Sequence, residues 1–528
     1  MSVHPHRCRS TLTAVILSAA KIPVFRLGAN NPEANTTSPS RIKASYGVRP
    51  GTKHASATHP MTKCIAIIGG GIAGITAAWQ LAQLARDGAD VQATLFESSP
   101  RLGGIVETVH QQGFTIECGP DAWVTEKPWA RELAVDLGLE HDLLPSNDAT
   151  RKTHILLNGR LETMPDGMRM MVPTNLGAVD RSHLFTASAK QAFHNELTRA
   201  DDLRSAAPQK DESIASFTRR HFGQEVLTRI ATPLLSGVLG GNVETLSVQA
   251  VMPQFVAMER THGSLIAALQ SGTARTAPPI FTTLRSGLGA LIDRLVAGIP
   301  RSWLHFNQSV RAISRSGKGW QVHLDTGRAS EIFDELFLAV PPKITQALLR
   351  PLDPAAVHLL DLESSSAIVV AFGYLDARGL ALPQGFGFLV PPSSENKLLA
   401  CTFVDQKFPG RVPPGARLLR AFFGAHSAEA LLSTSDEQLS TLAQHELTRV
   451  LGPLPTPAFS VVRRWPRSLP QYAVGHLTRM AALDSRIAAL PGLTLLGNGY
   501  RGVGLPDLIR DARRAARSLV PTEAEIHL

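Results

Sequence analysis

Apolar and polar positions along this chain follow two different periods, and the places where the period changes mark most of its elements. Residues 65–68 (Ile-Ala-Ile-Ile) form an unbroken apolar run, as expected of a strand buried on both faces, and 92–96 (Gln-Ala-Thr-Leu-Phe) reads as a second strand. Between them, from Ile72 onward, apolar residues recur at three- and four-residue spacing, which predicts a helix. The same spacing predicts helices over 130–139, 214–229 and 248–270, whereas 200–212 is polar and predicts a loop. Further strand-like runs occupy 113–117, 152–157, 310–314, 320–324, 335–340, 367–373, 388–391 and 417–424, and 281–292 leads into a helix. Near the far end, 493–496 is again strand-like and leads through a glycine turn into a helix that starts at Pro506.

The first strand–helix junction carries chemistry. It reads Gly69-Gly70-Gly71-Ile72-Ala73-Gly74, and Glu97 closes the second strand 23 residues after Gly74. In a dinucleotide-binding unit Gly69 makes the tight turn and Gly71 admits the pyrophosphate. Gly74 lets helix and strand pack closely, and an acid at the position of Glu97 accepts from ribose hydroxyls. The free amides of the helix start carry roughly half a positive charge toward the phosphates.

Two more loops extend the pattern. Ser98-Ser-Pro-Arg101-Leu-Gly103-Gly104 follows the acid directly and supplies a cation with a second close-approach glycine pair. The next strand ends in Gly119-Pro120-Asp121-Ala122, a rigid turn suited to lie beside a flat ring. At the C-terminal side, Gly497-Asn-Gly-Tyr-Arg-Gly502-Val503-Gly504-Leu505-Pro506-Asp507 sets a helix start against a glycine turn. Pro506 suits the first helical turn and Asp507 its positive end. The Val503 to Leu505 amides can stabilise the negative charge a flavin gains on reduction.

Composition changes this picture little. The 528 residues carry a formal net charge of +9, but residues 1–60 hold eight basic residues and one acid, so the remainder is close to neutral and not a nucleic-acid-binding surface. Residues 1–60 are rich in Ser, Thr, Asn and Pro, and their one apolar run, 12–20, is too short to span a bilayer. Three readings compete for them: a start upstream of Met61, a disordered extension, or a targeting peptide. Cys8, Cys64, Cys118 and Cys401 show no paired spacing and read as isolated reduced thiols. The 18 histidines show no metal-ligand pattern, and no transmembrane run is found.

These blocks, together with Leu234-Leu-Ser-Gly237-Val-Leu-Gly-Gly-Asn-Val-Glu-Thr-Leu-Ser247 and Trp465-Pro-Arg-Ser-Leu-Pro-Gln-Tyr-Ala-Val-Gly-His476, resemble the protoporphyrinogen oxidase family, oxygen-dependent FAD enzymes of haem synthesis within the flavin amine-oxidase superfamily. The resemblance covers essentially all of 64–517. The last two blocks are particular to the family, whereas the first glycine loops are shared with amine oxidases and desaturases. It implies FAD contacts at Gly69 to Gly74, Glu97, Ser98, Arg101, Gly103, Gly104, Gly119, Pro120, Asp121, Ala122, Val310, Trp465, Gly497 and Gly502 to Leu505, with Val310 meeting adenine through its backbone. It implies hydride transfer from a porphyrinogen bridge carbon to the flavin, three rounds removing six electrons, with oxygen reduced to hydrogen peroxide. The cofactor carries that chemistry, so no tuned acid–base pair and no metal are expected. Lys127 is the first candidate to hold a substrate carboxylate, with Arg169 and Arg411 as alternates. Eukaryotic relatives place an arginine nearby, where this chain has Val124 and Thr125. Gly237 is a candidate pocket residue, and Phe386 and Phe388 are candidate walls.

The implied fold is α/β: a Rossmann-like FAD-binding domain with an inserted mixed α+β substrate domain and a helical subdomain. The expected segments are 61–129, 271–344 and 479–528 for the FAD-binding domain, 130–270 for the helical part (151–175 joining the substrate domain), and 345–478 for the substrate domain. Residues 164–172 are either an apolar membrane-facing lip or buried packing. The expected setting is the cytoplasm, with room for peripheral membrane contact and for handover to the next haem-pathway enzyme. Coproporphyrinogen III is the rival substrate. An amine oxidase, a desaturase, or a flavin-binding scaffold without turnover stands further off.

Overall fold

In the computed structural model, which describes residues 62–271, 279–393 and 395–520, the first apolar run becomes the central strand of a five-stranded sheet. Strand Lys63–Ile68 runs parallel to Val91–Phe96 on one side and to Glu335–Leu338 on the other, pairing Ile65 with Ala93 and with Glu335. Leu304–His305 and Leu493–Leu495 complete the two edges, also in parallel. Three distant stretches of chain therefore build one sheet. Its middle is apolar on both faces because both are covered. Ile65 and Ile67 point into a cluster with helices Ile72–Arg86, Gly289–Ala297 and Leu505–Arg517. Ala66 and Ile68 point into another with Ile313, Trp320 and Val322 of the antiparallel strands Val310–Ser316 and Gly319–Leu324. Strand Ala329–Phe333, which the sequence pattern did not reveal, closes that small sheet.

A second, seven-stranded sheet holds the strand-like runs of the later chain. Its order is Phe459–Pro470, Ser364–Tyr374, Arg417–Gly424, Ala400–Phe403, Gly387–Leu389, Thr153–Leu157 and Arg160–Thr163. Helix Asp436–Leu451, opened by a capping box between Ser435 and Gln438, covers one face. Phe386 and Phe388 are buried in this region, and Phe388 meets Phe403 edge to face, so core packing accounts for Phe388.

The helical part departs from the sequence pattern in three places. Residues 200–212 are not all loop: Ala200–Ser205 is helical because Leu203 is buried where this turn packs on helix Pro253–His262. The predicted 248–270 helix is three pieces, Val248–Val251, Pro253–His262 and Leu265–Ser271, broken at Pro253 and at Gly263, whose φ is +73°. The predicted 214–229 helix kinks at Gly223, whose φ is +84°, and after Val226 passes through a wider turn, Leu227–Ala231, into Thr232–Leu239. Met164, Met168, Met170, Met171 and Val172 are buried in the same cluster as Phe193, Phe217 and Phe222, so 164–172 packs inward and presents no apolar lip. Residues 1–60 lie outside the described residues. Among the described residues no helix is long and apolar enough to cross a membrane.

Candidate functional site

Backbone hydrogen bonds stitch the glycine loops together. Gly70 N–H donates to Glu97 Oε2 at 2.7 Å and Ser99 N–H to Glu97 Oε1 at 2.8 Å, so the acid that ends the second strand holds both the first turn and its own loop. Gly103 N–H donates to the Gly70 carbonyl at 2.8 Å, laying the second loop against the first. Gly69 has a φ of +106°, and a Cβ on Gly74 would overlap the Gly69 carbonyl oxygen, which fixes both as glycine. No side chain caps the helix that starts at Ile72, so its first amides are free for an anion. Arg101, the cation expected at this loop, is turned onto the loop's own backbone here. Its guanidinium donates to the carbonyls of Gly104 (2.5 Å), Leu102 and Val106, and so braces the loop instead.

Above these loops lies a cavity of about 570 Å³, at the carboxyl ends of the parallel strands. Gly69 to Ala73, Glu97, Ser98, Gly103, Gly104, Val310 and Gly497 all line it. Asn498, Arg467 and Ser468 line it too. Those are the residues the structure brings together. Their chemistry fits an elongated dinucleotide: free helix amides beside a glycine cradle, a carboxylate, and an apolar wall that includes Ile68, Ala339 and Val340.

Gly119, Pro120, Asp121 and Ala122 sit beside that cavity on a charged foundation. A Cβ on Gly119 would overlap the Ile105 carbonyl, so this turn packs directly on the second glycine loop. The Gly119 carbonyl accepts from Arg420 at 2.5 Å, and Trp465 Nε1–H donates to the neighbouring Cys118 carbonyl at 2.7 Å. Asp121 meets Lys407 at 2.9 Å and Arg420 at 3.3 Å. Burial pushes the Asp121 carboxyl up, but the two cations outweigh it and hold the group below its ordinary value. Glu117 is fully enclosed by Arg411 (2.9 Å), Leu288 N–H (2.8 Å) and Thr108 Oγ1–H (2.7 Å), and burial holds its carboxyl above the ordinary value. Arg411 is therefore an internal strut, also donating to Thr283, and not a cation at a pocket rim.

The C-terminal turn adds the third wall. Gly504 caps helix Leu505–Arg517 without a side-chain bond, and Val503 packs against the helical part's core while Leu505 is buried against the sheet's. Lys127 is buried, with its ammonium 2.6 Å from Asp507 Oδ2 in the first turn of this helix. The sequence reading gave Lys127 to the substrate and Asp507 to the helix dipole; the structure pairs them with each other. Burial pushes the Asp507 carboxyl up and the Lys127 ammonium down, each countered but not cancelled by its partner. Gly237 lies in helix Thr232–Leu239, where a Cβ would stand 3.0 Å from Leu389 of the seven-stranded sheet. Leu389 and Val503 both pack on the helical core, so Gly237 sits where the three units converge.

Sequence reasoning passed over Tyr472, His476 and Asn498. Tyr472 O–H donates to the Asn498 carbonyl at 2.7 Å, and His476 Nε2 lies 2.9 Å from the Tyr500 carbonyl. The signal was present in the Pro470-Gln-Tyr and Gly475-His476 block, but its partners lie in another part of the chain. Among the described residues no cluster of His, Cys, Asp and Glu could hold a metal, and Cys64, Cys118 and Cys401 are free thiols.

A family model described as "Flavin containing amine oxidoreductase" matches residues 72–520. "Coproporphyrinogen III oxidase" of Bacillus subtilis (strain 168) is 33% identical over 463 residues, covering 86% of this chain and 97% of that protein. "Protoporphyrinogen oxidase" of Homo sapiens is 30% identical over 495 residues, covering 88% and 99%. Among solved structures, "Putative protoporphyrinogen oxidase from Exiguobacterium sp. 255-15" superposes with a TM-score of 0.77 at 31% identity, over 89% of this chain and 100% of that one. A UDP-galactopyranose mutase, 14% identical with a TM-score of 0.63, shares the fold.

Proposed function

The chain belongs to the flavin-containing amine oxidoreductase family, in the branch of the porphyrinogen oxidases, and from that premise we propose that it oxidises protoporphyrinogen IX to protoporphyrin IX. It is an oxidoreductase and its cofactor is FAD. One observation carries the reading: residues 69–73, 103–104 and 497–498, from opposite ends of the chain, line a single cavity of about 570 Å³. Bound FAD supplies a two-electron acceptor there. The free amides of the Ile72–Arg86 helix would hold the pyrophosphate, Glu97 the ribose, and Val310 the adenine by its backbone. Gly119 to Ala122 and Trp465 would flank the flavin, and the Val503 to Leu505 amides would stabilise the charge it gains on reduction.

The macrocycle would lie toward the junction of Gly237, Leu389 and Val503, next to the 503–505 turn, where side chains now pack closely. Three rounds remove six electrons and six hydrogens, and three molecules of oxygen leave as hydrogen peroxide. Lys127, Lys407, Arg411 and Arg420 are all engaged by internal carboxylates and are not free to meet a substrate carboxylate. Coproporphyrinogen III is the second reading, favoured by the Bacillus subtilis relative. The proposed setting is the cytoplasm, with handover of the porphyrin to the next haem-pathway enzyme. Peripheral membrane contact would need a surface other than 164–172, which is buried.

The test is to supply the purified holoenzyme in air with protoporphyrinogen IX and, separately, coproporphyrinogen III, and to follow porphyrin fluorescence. A faster rise with the dicarboxylate is expected. A faster rise with the tetracarboxylate would move the assignment to the second reading, and no rise with either would defeat both. Because Lys127 is taken up by Asp507, Lys127→Ala should leave KM unchanged; a KM raised more than kcat is lowered would return it to the substrate site.

A further inference from the structure

Tyr472 joins two parts of the molecule that share no sequence. Its ring is buried, and its hydroxyl spans the C-terminal turn, donating to the Asn498 carbonyl at 2.7 Å and accepting from Gly502 N–H at 2.9 Å. The ring lies flat on His476, centroids 3.9 Å apart and planes within 11°. His476 Nε2 faces the Tyr500 carbonyl at 2.9 Å, and a carbonyl only accepts, so that nitrogen carries the proton. Burial pushes His476 below its ordinary value, so the ring is neutral. Tyrosine and histidine together hold backbone groups of 498, 500 and 502.

The same segment is tied on its other side to the helical part. The Tyr472 carbonyl accepts from Ser247 N–H at 2.8 Å, and Val474 N–H donates to the Thr245 carbonyl at 2.9 Å. Asp211 completes the link, accepting from Ser247 Oγ–H at 2.9 Å and from Gly475 N–H at 2.8 Å. Gly237 belongs to the stretch that ends at Ser247. Asn498 lines the cofactor cavity.

We propose that Tyr472 is a positioning residue that couples the 236–247 stretch to the 497–502 turn, so that order in the helical part sets how firmly the turn holds reduced flavin. The inference rests on the reading of 497–505 as the flavin-facing turn. Loss of the hydroxyl leaves one donor and one acceptor of the turn without a protein partner, while the ring and its stack persist.

In the holoenzyme, Tyr472→Phe is expected to raise the FAD dissociation constant about three- to tenfold, the loss of one or two hydrogen bonds. It also lowers the flavin midpoint potential, because a looser turn favours the reduced form less, and speeds amide exchange across 497–504. Tyr374→Phe is the control. It removes a buried hydroxyl that has no partner among the described residues, and it should leave all three readouts unchanged. Asp211→Ala, which cuts the link on the helical side, should shift potential and exchange in the same direction as Tyr472→Phe but less. If Tyr472→Phe fails to fold, His476→Gln, which removes the stack, gives the same readouts. An unchanged potential and exchange in Tyr472→Phe overturns the inference while wild-type protein still binds FAD. A response to Tyr472→Phe with none to Asp211→Ala overturns the coupling. Wild-type protein that takes up no FAD overturns the cofactor reading beneath it, and this inference with it.

Discussion

Lys127 and Asp507 stand 380 positions apart in sequence and 2.6 Å apart in space. Their roles could not be read from either neighbourhood, because each looked complete alone: a lysine after a rigid turn, an acid at a helix start. A buried pair is costly to break and cheap to replace as a unit. Lys127→Met should therefore lower unfolding stability by about 3–5 kcal/mol, and the double variant Lys127→Met/Asp507→Leu should recover most of that, read by urea denaturation. A double variant as unstable as the single would show that the pair is not the unit. The glycine loops are the opposite case. Gly74 meets the Gly69 carbonyl only five residues away, so the constraint is local and legible in the sequence. Gly74→Ala should weaken FAD binding about 10- to 100-fold, the cost of about 1–3 kcal/mol of overpacking, with fluorescence titration as the measure. Unchanged affinity would mean that the turn relaxes freely.

At the scale of elements, strands were read more faithfully than helices. A strand's period survives any neighbour, whereas helices in the 214–270 region are cut by Pro253, by Gly263 and by the wide turn Leu227–Ala231. One charged cluster holds that region. His221 is fully buried between Glu196 and Glu259, each 3.1 Å from a ring nitrogen. Carboxylates only accept, so both nitrogens carry protons and the ring is cationic. Burial pushes His221 down, but the two carboxylates outweigh it and hold it above its ordinary 6.5. The sign follows. A raised folded-state value adds stability that is complete below the unfolded value and is lost as pH rises through the folded one. Glu259, held below its ordinary 4.5, contributes the reverse dependence, and only in more acidic solution. Stability, and with it the melting temperature, should therefore fall as pH rises from about 6.5 through the raised folded-state value, by at most about 1.4 kcal/mol per pH unit. His221→Gln should flatten that slope. An equal slope in the variant would assign the dependence to other groups.

Across the whole molecule, the region of the seven-stranded sheet is fastened to the 117–121 turn beside the second glycine loop by buried charge. Lys407 and Arg420 of the former region reach Asp121, and Arg411 reaches Glu117. None of these pairings was visible in sequence, since each joins residues more than 280 positions apart. Asp121→Ala would leave two buried cations facing each other, and is expected to cost about 3–5 kcal/mol in stability and to loosen FAD. Retained stability, measured by thermal unfolding of the holoenzyme, would show that water enters to replace the carboxylate.

The parallel sheet also sets the order in which this protein can mature. Its edge strand Leu493–Leu495 and the helix Leu505–Arg517 that packs on Ile72–Arg86 are made about 400 residues after the first glycine loop. A nascent chain that has not reached them has the front of the nucleotide cradle but not its back. Vitamin capture must then wait for these elements, and a nascent chain stalled before residue 490 should emerge without yellow colour, whatever the riboflavin supply.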